Sequence, residues 1–271
     1  MTLAANEAFE IIDGAYDRGL LLLGDHATAL LPPDYGDLGL PPAAFARHIA
    51  YDIGIEPLLR ALAARLKVPA VMSRFSRLLI DPNRGEDDPT LIMRISDGAI
   101  IPANHPMSAE ERERRLARFH RPYHQAVGAA IARTAEASGK APLLLSLHSF
   151  TPHWKGVPRP WEVTVLWDGD DRAMRPLLAA LAEDGTLTVA DNEPYDGALR
   201  GDTLYRHGMR PGLAHALIEI RQDQIGDEAG VAAWADRLAP IFESLNAREA
   251  LHVPLQHPSR TGPYDEESIS S

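Results

Sequence analysis

The chain has 271 residues, 45% of them hydrophobic and 24% charged, so it is long enough to bury one large core. Its formal net charge of -11 argues against a nucleic-acid or anionic-membrane partner, because both attract basic surfaces. It contains no cysteine, which excludes disulfides and thiolate metal sites and leaves His, Asp and Glu as the available metal ligands.

The two ends of the chain predict a cytoplasmic protein with a short flexible tail. Residues 1–14 carry acidic side chains where a signal peptide is positively charged, and no stretch approaches the ~18 apolar residues of a membrane helix. From residue 250 the composition turns to Pro, Ser, His and acidic residues. No Gly/Ser-rich linker interrupts the middle, so we expect one domain over 1–249 and a flexible tail over 250–271.

Short apolar runs alternate with helical periodicity along the chain. Residues 1–18 predict a short helix or an edge strand. Further strands are predicted at 19–24, 70–72, 78–80, 142–150, 161–167, 187–189 and 214–220, and helices at 45–66, 108–137, 170–183 and 228–246. Gly54 and Pro57 should kink or split the first helix. This alternation predicts an α/β fold, with a mostly parallel or mixed central sheet covered by helices on both faces.

Polar residues end or directly follow several of the predicted strands. In open α/β sheets, ligands bind at the carboxyl ends of the strands. We therefore expect five residues to share one rim of the sheet: His26, Asn83, Arg84, His148 and Glu219.

Two histidines and a carboxylate are a usual zinc ligand set when thiols are absent. His26 and His148 stand at the ends of apolar strands, and Asp52 extends the inward stripe of the first predicted helix. Asp25 is the rival carboxylate, and His48, one helical turn before Asp52, is the rival histidine. Each histidine taken alone is more often a hydrogen-bonded structural residue than a metal ligand.

Glu219 is a carboxylate in a strand predicted to be buried, which is costly unless the group is paired or used. It is either a general base or half of an ion pair with Arg221, which shares its face. Arg77 and Arg84 bracket the run LLIDPN. Arginine suits carboxylate and oxyanion recognition because its planar fork presents paired donors, although most arginines are simply exposed charges.

Six motifs in this order resemble the N-formylglutamate amidohydrolase family: GDHAT (24–28), RHIAYDIG (47–54), SRFSRLLIDPNR (73–84), SLHSF (146–150), DNEPY (191–195) and IEIRQD (218–223). That family is similar in fold and site to the zinc carboxypeptidases and aspartoacylase. The resemblance implies zinc-dependent hydrolysis of a small N-acyl amino acid, typically N-formyl-L-glutamate. Two alternatives remain: a zinc peptidase or amidase acting on short peptides or cell-wall fragments, and a catalytically silent binding protein.

The resemblance also implies roles for individual residues. The metal ligands are His26, Asp52 and His148, the general base is Glu219, the oxyanion donor is Arg77, and the substrate-binding residues are Asn83, Arg84, Tyr195 and Arg221. In zinc carboxypeptidases and aspartoacylase a ligand Glu follows the first His by three residues. Ala29 stands there in this chain, so the third ligand must come from elsewhere.

Overall fold

The computed structural model describes residues 2–183 and 185–264, with side chains described from residue 6 onward. In chain order the strands are β1 (Thr2–Ala5), β2 (Phe9–Ile12), β3 (Leu20–Gly24), β4 (Ala70–Ser73), β5 (Ile95–Ser96), β6 (Ala99–Ile100), β7 (Leu143–Phe150), β8 (His153–Trp154), β9 (Val157–Pro158), β10 (Val163–Leu166), β11 (Val189–Asp191) and β12 (His215–Arg221). The α-helices are α1 (Ile55–Leu66), α2 (Ala109–Arg115), α3 (Arg121–Ser138), α4 (Met174–Ala182) and α5 (Glu228–Asn246).

Eight of these strands form the central sheet, in the spatial order β1-β2-β4-β3-β7-β12-β10-β11. The four middle strands β4, β3, β7 and β12 are parallel, whereas β12 pairs with β10 and β4 pairs with β2 in antiparallel fashion. Strands β5 with β6, and β8 with β9, form two separate hairpins. The mixed sheet of the predicted α/β fold is confirmed, and residues 1–18 contribute the edge strand β1 and its neighbour β2.

Helices cover both faces of this sheet. Leu20 and Leu22 of β3 belong to a core that includes the buried residues of α1, α4 and α5. Leu21 and Leu23 belong to a second core that includes the buried apolar residues of α3. Successive side chains of a strand point to opposite faces. The continuous aliphatic run of β3 is therefore buried from both sides.

The predicted start of the first helix is wrong. Helix α1 begins at Ile55 rather than near residue 45, and Gly54 before it has a left-handed φ of 84°. A Cβ at Gly54 would lie 2.3 Å from the Ile225 carbonyl oxygen. Pro57 falls in the first turn, where its missing N–H costs no helical hydrogen bond. Asp52 therefore lies in the loop before α1, not on a helical stripe.

The predicted strand at 78–80 is also wrong. These residues are fully buried but form a turn whose carbonyl oxygens are bound by side chains. Asn104 Nδ2 donates to the Leu78 oxygen at 2.8 Å, and Arg115 Nη1 donates to the Leu79 oxygen at 2.8 Å. Side-chain donors replace the sheet hydrogen bonds that a buried apolar run usually needs. Asn83 and Arg84 consequently reach the site from a loop.

The described part of the predicted tail packs against the domain. Leu251 and His252 are buried, the Leu255 N–H donates to the Gly212 oxygen at 2.8 Å, and the Arg260 N–H donates to Asp168 at 2.7 Å. A domain boundary at 249 and flexibility beyond it stay predictions, and 265–271 lie outside the described residues. No helix in the described ranges is long and apolar enough to cross a membrane.

Candidate active site

A cavity of about 420 Å³ opens beside the carboxyl ends of β3, β7 and β12. The structure brings eight of the predicted site residues to its wall: His26, Asp52, Arg77, Asn83, Arg84, His148, Tyr195 and Glu219. Their sequence separation is large, so their convergence is a product of the fold.

His26, Asp52 and His148 form a compact buried cluster, with one potential ligand atom from each within 4.8 Å of the others. His148 Nδ1 lies 2.9 Å from Asp52 Oδ2, and His26 Nδ1 lies 3.4 Å from the same oxygen. The two imidazole rings are nearly perpendicular, with centroids 5.0 Å apart. The Asp52 N–H donates to the His26 carbonyl oxygen at 2.8 Å, which fixes the loop that carries the carboxylate.

Each histidine of the cluster is held from behind by a fully buried carboxylate. His26 Nε2 donates to Asp81 Oδ1 at 2.7 Å, and His148 Nε2 donates to Asp25 Oδ2 at 3.0 Å. A carboxylate on one ring nitrogen fixes the ring orientation and turns the other nitrogen toward a metal. Both Nδ1 atoms accordingly face Asp52.

The rival ligands have other positions. Asp25 supports His148 and also accepts hydrogen bonds from Tyr123 Oη and Thr203 Oγ1, both at 2.7 Å. His48 lines the cavity near its rim, where its Nε2 lies 3.7 Å from an Asp97 oxygen. Among the described residues, His26, Asp52 and His148 are the one group of His and carboxylate side chains that meets a metal-site geometry.

The residues present fit a divalent cation. His26 Nδ1 is buried and has no hydrogen-bond partner among the described residues, since its approach to Asp52 lacks hydrogen-bond geometry. Three buried carboxylates, Asp25, Asp52 and Asp81, lie against the two imidazoles, and Arg77 is the arginine that pairs with Asp52 and Asp81. Two imidazole nitrogens and a carboxylate oxygen are also the donor set of many catalytic zinc sites.

The electrostatics of the cluster point the same way. Burial lowers the pKa of His148, but the hydrogen bonds and charges of Asp25 and Asp52 outweigh burial and raise that pKa well above its usual range. Burial raises the pKa of Asp52, but the charge of His26 and the hydrogen bond from His148 hold it below its ordinary value. A cation in the cluster would take the place of these protons, because metal ligands bind in their deprotonated form.

Glu219 is a buried carboxylate in the same cavity. Its Oε2 atom has no hydrogen-bond partner among the described residues, and burial raises the pKa of Glu219 to about 7, with the His148 charge opposing the shift. The alternative ion pair with Arg221 does not form. Arg221 instead donates to Asp223 at 2.7 Å and lies 3.3 Å from Glu162.

The segment that contains Asp81 forms another polar wall of the cavity. Arg77 Nη2 donates to Asp81 Oδ2 at 2.8 Å, and its Nη1 lies 3.5 Å from Asp52 Oδ1. Burial lowers the pKa of Arg77, but Asp81 and Asp52 outweigh burial and raise it, so the guanidinium stays charged. Arg84 donates to the Asn83 carbonyl oxygen at 2.8 Å and forms no ion pair with a described residue.

Tyr195 and Arg221 differ in their access to the cavity. Tyr195 is 44% exposed at the rim, and the Arg159 guanidinium carbon lies 5.1 Å from its ring centroid. Arg221 does not line the cavity, and its Nη1 donates to the carbonyl oxygens of Arg159 and Trp161 at 3.1 Å.

The sequence reading missed two acidic residues of the site. Asp81 supports His26, and its position after a buried apolar run was a usable signal. Asp202 lines the cavity almost fully buried, and burial raises its pKa to about 7. Nothing in the local pattern around Asp202 indicated its position.

Comparisons with known proteins agree on one family. The sequence profile described as N-formylglutamate amidohydrolase matches residues 18–226. An N-formylglutamate deformylase of Pseudomonas putida is 34% identical over 201 residues, which are 68% of this chain and 73% of that protein. The enzyme of the same name from Pseudomonas aeruginosa is 28% identical over 207 residues, covering 70% of this chain and 76% of that protein.

Two solved structures resemble the fold. A gene product of Agrobacterium tumefaciens has a TM-score of 0.81 and 33% identity, covering 89% of this chain and 95% of that chain. N-formylglutamate amidohydrolase from Ralstonia eutropha JMP134 has a TM-score of 0.66 and 21% identity, covering 89% of this chain and 97% of that chain. With its profile match across most of the sequence and its P. putida relative, the chain belongs to the N-formylglutamate amidohydrolase family.

Proposed function

We propose that the chain is a metal-dependent hydrolase that cleaves the amide bond of N-formyl-L-glutamate or a closely related N-acyl amino acid. The observation that carries the proposal is the buried cluster of His26, Asp52 and His148 beside Glu219, whose Oε2 has no hydrogen-bond partner in the part of the chain that the structure describes. The names of the relatives support the choice of acyl group and amino acid. The products are a short carboxylic acid and a free amino acid.

His26, Asp52 and His148 would hold the cation, and zinc is the metal that their donor set favours. When bound, it supplies Lewis-acid chemistry and makes a water nucleophile available near neutral pH. Asp81 and Asp25 keep the two imidazoles oriented for this role.

Glu219 moves the proton of the reaction. Its carboxylate takes a proton from the attacking water as the water oxygen bonds to the acyl carbon, and then delivers it to the leaving nitrogen as the C–N bond breaks. Burial suits this task, because it brings the pKa of Glu219 to about 7, near the operating pH of a general base.

Two arginines have separate tasks in this proposal. Arg77 is fixed by Asp81 beside the metal ligands, where its charge stabilises negative charge developing on the acyl oxygen. Arg84, without an ion pair among the described residues, binds a substrate carboxylate together with Asn83. Tyr195 closes the rim of a cavity whose volume, about 420 Å³, suits a small molecule.

The test is a comparison of substrates on zinc-reconstituted protein. We expect N-formyl-L-glutamate to be hydrolysed with a kcat/KM at least about tenfold above that of N-formyl-L-glutamine, because the latter lacks one carboxylate. N-acetyl-L-aspartate and short peptides should be slower still. Faster cleavage of peptides would favour the peptidase alternative, and no turnover at less than about half a zinc per chain would favour the silent binding protein.

A further inference from the structure

A second cavity, of about 830 Å³, lies on the other side of residues 82–84, which we call the substrate-binding segment. It shares no described lining residue with the first cavity. We call it the basic cavity, and it is lined by Arg121, His124, Arg206, His207, Arg210, Glu86, Gly128 and Tyr264 with a few apolar neighbours. In a chain with a net charge of -11, a cavity with three arginines and two histidines is unexpected.

Among the described lining residues of the basic cavity, arginines outnumber carboxylates. Arg121 donates to both carboxylate oxygens of Glu86, at 3.1 and 2.9 Å, so the acid of the cavity already has a partner. Arg206 and Arg210 form no ion pair with a described residue. Burial lowers the pKa of Arg206, and the charges of Arg210 and Arg121 add to that effect while Glu86 opposes it. Among the described residues, these two guanidiniums therefore have no counter-ion in the basic cavity.

The backbone that presents these side chains is unusual. Arg206 and His207 belong to a π-helical turn, Tyr205–Met209, and a second such turn, Leu116–His120, leads into α3. Single π-turns are rare and occur frequently at functional sites. The π-helical turn is a second observation, independent of charge, that singles out this region.

The basic cavity also contacts the substrate-binding segment. His124 Nε2 donates to the Pro82 carbonyl oxygen at 3.0 Å, which leaves His124 Nδ1 to accept from His207 Nε2 at 3.1 Å. Pro82 directly precedes Asn83 and Arg84. A ligand against His207 would therefore be two hydrogen bonds away from the residues that bind substrate in the proposed function.

We propose that the basic cavity is a second ligand site, which binds a small molecule through a phosphate-class oxyanion. The guanidiniums of Arg206 and Arg210, which have no ion-pair partner within the described ranges, match the paired acceptor oxygens of such a group. The imidazole ring of His207 lines the same cavity as these two arginines. The volume of the cavity leaves room for an organic portion attached to the oxyanion.

The first experiment titrates the full-length, zinc-reconstituted protein with inorganic phosphate by calorimetry. We expect Arg206→Gln and Arg210→Gln each to raise Kd about tenfold or more. Arg248→Gln is the matched control, because Arg248 is exposed and lines neither cavity, and its Kd should stay within about twofold of wild type. Circular dichroism checks that each variant is folded.

A charge-neutral variant separates a built site from diffuse attraction. A Cβ at Gly128 would meet only His207 Cε1, at 3.9 Å, so a side chain there enters open space in the cavity. Gly128→Leu should abolish phosphate binding without changing any charge, whereas Gly128→Ala should preserve it. Equal affinity in Gly128→Leu and wild type would contradict the site.

The third arm distinguishes the two cavities. Arg84→Gln alters the active-site cavity and should leave the phosphate affinity of the basic cavity intact. If Arg84→Gln removes binding and Arg206→Gln does not, phosphate occupies the active site and the proposal fails. Absence of measurable binding to wild type also overturns it. The measurement requires no turnover, so its outcome is separate from that of the proposed hydrolysis.

Discussion

Glu219 lies directly opposite His148 in the parallel pairing of β12 with β7. Strand register therefore places the proposed base beside a proposed metal ligand, and neither side chain depends on a mobile loop for its position. Residues carried on packed sheet strands hold their geometry more firmly than residues carried on loops. The pairing also explains how Glu219 stays buried, since β10 covers the other edge of β12.

The first prediction concerns the general base. Glu219→Gln keeps the shape of the side chain but removes its ability to accept a proton, so kcat should fall by at least about a hundredfold. Metal content, measured by atomic emission, should remain at the wild-type level. Glu228→Gln, an exposed position at the start of α5, should show wild-type values for both. Wild-type turnover in Glu219→Gln would exclude the role.

The second prediction distinguishes the two candidate histidines. His148→Ala should lose bound zinc and activity together, because His148 Nδ1 is one of the clustered ligand atoms. His48→Ala should retain zinc, because His48 lies outside the cluster, near Asp97. Zinc per chain after reconstitution and dialysis is the measurement. Full retention in His148→Ala, or loss in His48→Ala, would reassign the ligand.

The third prediction concerns the carboxylate behind His26. Asp81→Asn weakens the acceptor that orients the ring, so zinc affinity should fall about 10–100-fold while the fold is retained. Competition with a chelator of known affinity measures the change. Asp87→Asn, an exposed residue of the following loop, is the control and should leave zinc affinity unchanged. An unaltered affinity in Asp81→Asn would show that His26 needs no support.

The fourth prediction compares Arg84 and Arg221, which the family resemblance implies are both substrate-binding residues. Arg84→Gln should raise KM for N-formyl-L-glutamate about tenfold or more, because Arg84 lines the active-site cavity without an ion pair among the described residues. Arg221→Gln should change KM by less than about twofold, since its guanidinium is held by Asp223 outside that cavity. If Arg84→Gln lowers kcat/KM by the same factor for charged substrates and for their amide analogues, Arg84 does not contact a carboxylate.

The sequence predicts which residues converge on the cavity better than it predicts the helices and strands that carry them. His26, His148 and Glu219 were found because apolar strands end at polar residues, and parallel strands bring such ends to one edge. Asp52 also lines the cavity, but the element predicted to carry it was wrong, since it lies in a loop and not on a helix. Hydrophobic periodicity indicates which residues are buried. It does not identify the element that carries them, because helices, strands and packed loops all contain buried residues.

The failure at residues 78–80 has the same origin. Leu78, Leu79 and Ile80 are as buried as any strand. The carbonyl oxygens of the first two are nevertheless bound by Asn104 and Arg115, which lie far along the chain. No local pattern can reveal a partner at that distance. His26, which Asp81 supports, is also distant in sequence, whereas Asp202 accepts a hydrogen bond from the nearby Tyr205 N–H and owes its burial to the packing of the whole fold.

The last prediction concerns stability against acid. Burial lowers the pKa of His120 and of His207 to about 4, below the 6.5 of an exposed histidine. Between pH 6.5 and 4 the unfolded chain binds protons that the folded chain does not, so the free energy of unfolding falls as pH falls through this window. Above pH 6.5 this contribution to stability is fully present.

One variant isolates the effect of a single ring. His120→Gln keeps an N–H donor for the Arg84 carbonyl oxygen but cannot titrate. Between pH 7.5 and 5 it should lose about 1–2 kcal/mol less unfolding free energy than wild type, as measured by urea denaturation. His153→Gln, at an exposed position in β8, should follow the wild-type profile. An identical pH dependence in His120→Gln and wild type would mean that the pKa of His120 is the same in the folded and the unfolded protein.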